Sequence, residues 1–406
     1  LPHLFFRNRW QDASASKPVI RAGKAAAHAS MHAHSDDLGQ YTMYCESSPA
    51  LAFTDNETNR QRIDGKPNRT PYVKDGINRY ITKNESGAIN PAMTGTKAAA
   101  IYKLTTGPGG SNTIRLRLCA DECSPEQPFA DFDQIFDRRI HEADDFYTSV
   151  IPDSLPGDAR EVMRQALAGM LWTKQFYYYP VANWIGRYRE HLPARNLEWG
   201  HLQAEDIHSM PDKWEYPWYA VWDTAFHTLS LELVDPAFAK HQLTMFLTDR
   251  YMHPNGQLPA YEWNFGDVNP PVHAFATIFL YNVDKARQPG GEDIQFLQQS
   301  FAGLEKNFRW WIEHKDPSGE NVFHGGFLGL DNIGVFDRSK DLPTGGHLEQ
   351  ADGNAWMALY AQNMFEIALE LAHHDRKYED SVIRCLDHFL QIASAMDRGG
   401  DNDDEM

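Results

Sequence analysis

Three segments in the C-terminal two-thirds of the sequence combine aromatic with carboxylate or amide side chains. Trp222-Asp223 lies where an amphipathic helix begins, and Glu262-Trp263-Asn264 lies in an aromatic-rich loop. A third segment, the start of a later helix, contains Gln350, Asp352 and Asn354. Indole faces stack on the apolar faces of sugar rings, while carboxylates and amides hydrogen-bond the hydroxyls. Taken singly, each tryptophan is more typical of a core, but the set favours a saccharide pocket.

A glycine-rich segment, residues 325–337, contains a candidate proton donor, Asp331. Its apolar neighbours Leu330 and Ile333 can desolvate the carboxyl group and raise its pKa, as a general acid requires. The segment is not a phosphate-binding loop, because no Lys-Ser or Lys-Thr follows and its charge is negative. From the residues alone, a turn aspartate remains the preferred interpretation of Asp331. Helix capping likewise explains Asp223 and Asp352.

The composition excludes several classes of partner. The net charge of −18 disfavours nucleic acid and anionic membranes, so a neutral small saccharide is the expected ligand. No apolar run approaches the ~20 residues that a membrane span needs. The sequence indicates no cofactor and no metal site, and it leaves the oligomeric state open. Cys119 and Cys123 are expected to be free thiols rather than a disulfide, which favours a cytoplasmic location.

The chain is expected to be mainly α, with an N-terminal β domain. Short runs separated by turn residues predict a β-sandwich-like domain over 1–128. Its expected strands include Tyr41–Tyr44, Leu51–Thr54, Ile77–Thr82, Ala98–Leu104 and Thr113–Leu118. Residues 129–406 show helical spacing, with almost no strand between helices. The expected helices are 131–149, 158–177, 216–232, 236–251, 271–285, 293–314, 350–373 and 376–395. About eight helices in sequence, without obvious repeats, favour hairpins arranged as a toroid.

The loops together resemble those of the family 63 glycoside hydrolases, which include bacterial α-glucosidases and mannosylglycerate hydrolases and are related to trehalases. Trp222-Asp223 followed by Phe226 is similar to the W-D-x-x-F segment that lines the subsite for the non-reducing sugar. Residues 329–332, Gly-Leu-Asp-Asn, resemble the loop that carries the general acid, and 352–355, Asp-Gly-Asn-Ala, resemble a D-L-N-A helix start.

The resemblance implies an (α/α)6 barrel that cleaves α-glycosidic bonds with inversion. Asp331 would be the general acid, and the residues of the three tryptophan- and amide-bearing segments would bind the substrate. The family's general base is a glutamate more than two hundred residues beyond the acid, whereas only 75 residues follow Asp331 here. We therefore expect this chain to be a fragment with an incomplete barrel, lacking the base and inactive alone. The acid's loop also departs from the family, with Gly-Phe-Leu-Gly where relatives often have Glu-Ser-Gly.

Three alternatives stay open. Asp223 can be the acid, with Asp331 binding the substrate. The protein can instead be a non-catalytic carbohydrate-binding or scaffold protein of the same fold. A toroidal lyase or epimerase would need a histidine or tyrosine base near the pocket, for which His227, His253, His273 and Tyr261 are candidates.

Overall fold

The computed structural model describes residues 1–7, 16–24, 27–123, 125–188, 197–212, 215–261, 268–287, 290–316, 319–323, 343–345 and 353–398. The chain divides into two compact units, Leu1–Asp145 and Phe146–Met406. This division lies closer to the C-terminus than the predicted boundary at residue 128, because the helix that follows the strands begins in the first unit. Within the described ranges the chain forms eleven α-helices and three small sheets.

The first unit contains two antiparallel sheets. Its strands are β1 His3–Phe5, β2 Val19–Ala22, β3 Ala29–Ser35, β4 Gly39–Cys45, β5 Ala50–Thr54, β6 Thr94–Gly95, β7 Lys97–Ile101 and β8 Leu116–Ala120. One sheet has the order β6-β2-β3-β4-β8 and the other β1-β7-β5. Alternation sets the faces of β3, where Met31 and Ala33 are buried and His32 and His34 are exposed. Ile20 and Met31 from one sheet share an apolar cluster with Phe53 and Ala98 from the other.

One predicted strand of this unit is wrong. Residues 77–82 are not a strand but belong to helix α2, Gly76–Lys83, which follows the short helix α1, Arg60–Asp64. Ile77, Tyr80 and Ile81 have the spacing of one helical face, and this periodicity outweighs the β-propensity of the residues.

Strand β8 exposes an apolar side chain and partly shields an arginine. Leu118 is 55% exposed, whereas the side chain of Arg117 is only 15% exposed. The reason is that helix α3, Phe132–Val150, begins beside the arginines. Arg117 pairs with Asp131 at 2.8 Å, and its guanidinium lies 6.0 Å from the centre of the Phe132 ring.

The second unit is mainly helical. Its helices are α4 Gly157–Leu171, α5 Val181–Tyr188, α6 Val221–Leu231, α7 Pro236–Phe246, α8 His273–Arg287, α9 Ile294–Lys315, α10 Gly353–His374 and α11 Glu379–Arg398. Helices α6 to α11 contribute to one apolar core, with fully buried residues such as Leu243, Leu280, Leu304 and Met364. A closed toroid stays a prediction. Among the described residues, no helix combines the length and the apolar character that crossing a membrane requires.

Aspartate side chains cap the starts of two helices in this unit. Asp235 accepts a hydrogen bond from the Phe238 amide at 3.1 Å, and Pro236 occupies the first turn of α7. Asp293 caps α9 in the same way, accepting from the Phe296 amide at 3.0 Å. These carboxylates also satisfy amides that have no partner within their helices, which fixes where α7 and α9 begin.

The predicted helix over 158–177 is too long. Helix α4 ends at Leu171, and strand β9, Lys174–Pro180, pairs antiparallel with β10, Gln203–Ser209. The aromatic run 176–179 has high β-propensity, and alternation buries part of it. Tyr177 and Tyr179 pack against an apolar cluster, whereas Phe176 and Tyr178 are 65% and 56% exposed. The expectation of almost no strand between the helices is therefore wrong at this hairpin.

Glu232, at the end of α6, makes the stability of the second unit depend on pH. Its side chain is fully buried, and Arg287 Nη1 lies 3.3 Å from its Oε1 and donates to its backbone oxygen at 2.9 Å. Burial, with a smaller effect of the nearby Asp284 charge, raises the pKa of Glu232 to about 7. The folded protein thus holds a proton that the unfolded chain releases near its ordinary pKa of 4.5.

We predict that the free energy of unfolding falls as the pH rises from about 4.5 to about 7. Glu232→Gln, which cannot ionise, should reduce that slope and be more stable relative to the parent at pH 8 than at pH 5. One pKa unit corresponds to about 1.4 kcal/mol, so the change should be a few kcal/mol at most. Urea unfolding of both proteins across this range measures the difference. If the free energies of unfolding of the two proteins change with pH in parallel, Glu232 is already ionised at pH 5.

Candidate functional site

The start of α6 is joined to the segment that precedes Glu262. The Val221 amide donates to the Ala260 carbonyl at 3.3 Å, and Ala220 and Tyr261 form an isolated antiparallel bridge. Trp222 and Asp223 are the next residues of α6. The first predicted segment therefore lies beside the residues that lead into the second.

Gly256 holds the same segment against α9. Its φ of +96° is unfavourable for side chains, and a Cβ at this position would lie 2.6 Å from the Lys306 carbonyl oxygen. The buried Asn307 donates through Nδ2 to the Gly256 carbonyl at 2.9 Å, and its Oδ1 lies 3.1 Å from the Tyr360 hydroxyl. The backbone after Gly256 is consequently fixed relative to α9 and α10.

These contacts surround a pocket in the second unit. It is a small hollow that opens to solvent. Its walls come from α6, α9, the segment after Gly256 and the residues that lead into α8. The lining residues are Val221, Trp222, Leu258, Pro259, Val268, Asn269, Pro270, Pro271, Val272, His273, Asn307 and Trp311. Indole rings and few polar groups are typical of sites for small organic ligands.

Two tryptophans form aromatic walls. Trp222 is half-buried and contacts the Phe226 ring edge to face, with the ring centroids 5.8 Å apart. Trp311 is only 3% exposed and lies on the opposite element, α9. Trp222 retains accessible surface and is thus the wall that a ligand ring can stack against.

His273 contributes a neutral ring to the pocket wall. Its Nε2 lies 2.8 Å from the Leu243 carbonyl, so the proton of the neutral ring is on Nε2 and Nδ1 carries a lone pair. Burial lowers the pKa of His273 to about 4, so the ring is uncharged at neutral pH. Within the described part of the chain, Nδ1 has no hydrogen-bond partner. This nitrogen has almost no accessible surface, so the ring is a neutral part of the pocket wall and not an exposed binding group.

Asp223 follows Trp222 in the first turn of α6, but it is not among the residues that line this pocket. Its carboxyl group is partly buried, and the resulting desolvation raises its pKa. A raised pKa suits a proton donor as well as a residue that binds hydroxyls. The structure thus leaves both roles available to Asp223.

Asn354 orders the chain near the glycine-rich segment. Its Oδ1 accepts a hydrogen bond from the Phe323 amide at 2.6 Å, 31 residues earlier in the sequence. This bond connects the start of α10 to the residues that precede 325–337. Asn354 therefore has a positioning role.

The other predicted site residues lie outside the described residues: Glu262, Trp263, Asn264, Asp331, Gln350 and Asp352. For the first three, both flanks are described. Leu258 and Pro259 on one side and Val268 and Asn269 on the other line the pocket. The chain thus enters and leaves 262–267 at the pocket wall.

The part of the chain that contains the pocket is similar to a known protein family. Residues 216–385 match the family model of the mannosylglycerate hydrolase MGH1-like glycoside hydrolase domain. The match covers fewer than half of the residues of the chain, so it is a similarity of this segment to a glycoside hydrolase domain. It includes every residue of the pocket and every predicted site residue, and it supports the resemblance to family 63 that the loops indicate.

A longer protein is similar to nearly the whole chain. An uncharacterized protein of Saccharomyces cerevisiae, YMR196W, is 42% identical over 97% of this chain. The chain spans 40% of the length of that protein. The yeast relative therefore has a sequence similar to both units described here, together with further sequence.

Two solved structures from Thermus thermophilus are similar to part of the chain. A family 63 mannosylglycerate hydrolase in complex with glucose has a TM-score of 0.32 at 16% identity, over 45% of this chain and 60% of its own. An uncharacterized conserved protein has a TM-score of 0.33 at 21% identity, over 44% and 57%. Both TM-scores are too low to define a common arrangement of helices.

The sequence analysis missed several residues that line the pocket. Asn269 and Pro270 were not predicted to line it, and Pro271 was expected only in the first turn of a helix that begins at His273 instead. Asn307 and Trp311 have ordinary core spacing on α9, so no local signal distinguishes them. Trp199 and Trp310, by contrast, are buried in the core, as each tryptophan taken singly suggests.

The histidines considered as bases for a lyase or epimerase have other environments. His227 lies 2.9 Å through Nδ1 from the Ser209 hydroxyl, and burial lowers its pKa. His273 faces the pocket, but a group with a pKa of about 4 is a weak proton acceptor at neutral pH. Both histidines are therefore better suited to forming hydrogen bonds than to abstracting a proton from a substrate.

Proposed function

We propose that the protein hydrolyses α-glycosidic bonds of a small saccharide or glycoside by an inverting acid–base mechanism. The observation that carries the proposal is the pocket of Trp222, Trp311 and neutral His273 within the segment that matches a glycoside hydrolase domain. One face of a sugar ring stacks on Trp222, and the neutral ring of His273 forms part of the wall beside it. An uncharged pocket wall of this kind suits a neutral sugar.

In the proposed reaction, Asp331 protonates the departing glycosidic oxygen and a second carboxylate activates water on the opposite face of the ring. Carboxyl groups in inverting enzymes stand about 6.5–9.5 Å apart, which leaves room for that water. The resemblance places the second carboxylate in a late barrel helix. Because the chain spans 40% of its yeast relative, the reaction is proposed for the complete gene product.

A screen of α-linked disaccharides and methyl α-glycosides, followed by proton NMR, tests the proposal. Inversion of an α-linkage releases the β-anomer first, and mutarotation follows. Early release of the α-anomer would contradict inversion, and an unsaturated or epimerised product would identify a lyase or epimerase. Saccharide binding without any cleavage by the complete gene product would favour the non-catalytic alternative.

A further inference from the structure

A basic segment, residues 58–83, contrasts with the acidic chain around it. It contains seven basic residues and two acidic ones, whereas the whole chain has a net charge of −18. The segment lies between β5 and β6 in the first unit, far in sequence from residues 216–385. A local excess of positive charge attracts anions even when the total charge of the protein is negative.

Only some of these cations are neutralised. Three arginines pair with carboxylates: Arg60 with Asp64 at 2.9 Å, Arg62 with Asp75 at 3.5 Å and Arg79 with Glu85 at 2.6 Å. Lys66, Arg69, Lys74 and Lys83 are exposed and form no ion pair with any described residue. The uncompensated charge of the segment is therefore carried by these four residues.

Arg69 differs from the other three because it borders two hollows. One is a cleft enclosing about 1070 Å³, open solvent included, whose walls include Gln61, Thr70 and Arg79. The other encloses about 550 Å³ and shares Pro67, Asn68 and Arg69 with the cleft. Arg69 thus lies on a ridge with concave surface on both sides, where a ligand can contact the guanidinium and further groups together.

Side-chain hydrogen bonds fix the loop that presents Arg69. Asn68 Nδ2 donates to Asn59 Oδ1 at 3.0 Å, and Asn68 Oδ1 accepts from the Gln61 amide at 3.2 Å. Asn59 also accepts from the Arg62 amide at 3.1 Å and donates to Asp75 at 3.1 Å. An arginine on a fixed loop loses less conformational entropy on binding than one on a mobile loop.

We propose that the cleft beside Arg69 binds a phosphorylated sugar. The planar guanidinium suits bidentate contact with phosphate oxygens. The cleft is larger than a phosphate group needs, and beyond Arg69 it offers the neutral Gln61 amide and the Thr70 hydroxyl, which suit sugar hydroxyls. The proposal does not require the second unit to be catalytic, because binding is measured without turnover.

Isothermal titration of the chain with glucose 6-phosphate, glucose and inorganic phosphate tests this at low and moderate salt. Glucose 6-phosphate should bind most tightly and more weakly as salt is added. Arg69→Ala should weaken its binding by about tenfold or more, because a charged hydrogen-bonding group is lost. Lys83→Ala removes an equally exposed cation that borders neither hollow, and it should change affinity by less than about twofold.

Several outcomes would overturn the proposal. Equal losses for Arg69→Ala and Lys83→Ala would show a general charge effect, and equal affinity for phosphate and glucose 6-phosphate would show that the sugar is not recognised. If glucose 6-phosphate does not bind, the proposal is wrong. Trp222→Ala distinguishes the two sites, since loss of glucose 6-phosphate binding in that variant would place the ligand in the saccharide pocket instead.

Discussion

Asp331→Asn is expected to lower kcat of the complete gene product by about 10²–10⁴-fold, while saccharide affinity changes little. The amide has nearly the shape of the carboxyl group but cannot donate a proton to the departing glycosidic oxygen. Measured with a methyl α-glycoside that the parent cleaves, the loss should appear in kcat rather than in KM.

The leaving group provides a sharper measurement of the same role. A nitrophenolate departs without protonation, so Asp331→Asn should lose far less activity on a nitrophenyl α-glycoside than on the methyl α-glycoside. Equal losses on both substrates would exclude Asp331 as the proton donor. Near-normal activity of the variant on every substrate would exclude it from the reaction altogether.

Asp223→Asn is the matched control, since the alternative assignment makes Asp223 the acid. Burial raises the pKa of this carboxyl group, which a proton donor at neutral pH needs. If Asp223 instead binds hydroxyls, the variant should raise KM, and the loss should not depend on the leaving group. If the loss of activity depends on the leaving group for Asp223→Asn and not for Asp331→Asn, then Asp223 is the proton donor and Asp331 binds the substrate.

Most of the helices could be predicted from the sequence because their signals are local. Helix α9 was expected at 293–314 and spans Ile294–Lys315, with Asp293 as its cap. Helix α10 was expected at 350–373 and is described from Gly353 to His374. Amphipathic spacing and capping residues are sufficient for such elements.

The errors arise where two local signals compete. The aromatic run 176–179 continues a helical pattern but is stabilised as a strand by pairing with β10, in which Gln203 lies opposite Pro180 and Ser209 lies opposite Lys174. Residues 77–82 combine β-propensity with helical spacing, and Ile77 packs from the helix against Ala52 and Ala99. In both cases the deciding contact is distant in sequence, so periodicity alone could not reveal it.

The same limit explains which site residues could be predicted. Trp222 was found because its type, next to a carboxylate, suggests sugar binding. His273 was considered only as a base, although its bond to Leu243, 30 residues earlier, holds it as a neutral part of the pocket wall. Asn307 contributes through contacts with Gly256 and Tyr360, which are 51 and 53 residues away. The type of a side chain indicates that it could line a pocket. Whether it does so depends on packing between residues that are distant in sequence.

Because Trp222 is proposed to stack on the sugar ring, its substitution should cause a large loss of glycoside affinity. Trp222→Ala should weaken binding of methyl α-glucoside or methyl α-mannoside by about tenfold to a hundredfold, because truncating a buried aromatic contact typically costs about 2 kcal/mol or more. Calorimetric titration of the complete gene product with each glycoside measures the loss. Trp222→Phe keeps part of the aromatic face and should lie between the parent and the alanine variant.

Trp172→Ala is the matched control for this effect. Trp172 is 71% exposed at the end of α4 and does not line the pocket, so its loss should leave glycoside affinity within about twofold. Unfolding curves of both alanine variants separate a loss of binding from a loss of folding. If both variants lose the same glycoside affinity, or if Trp222→Ala keeps full affinity, the indole of Trp222 does not contact the saccharide. The neutral pocket wall would then have no stacking surface on α6, and the saccharide would have to bind elsewhere in the domain.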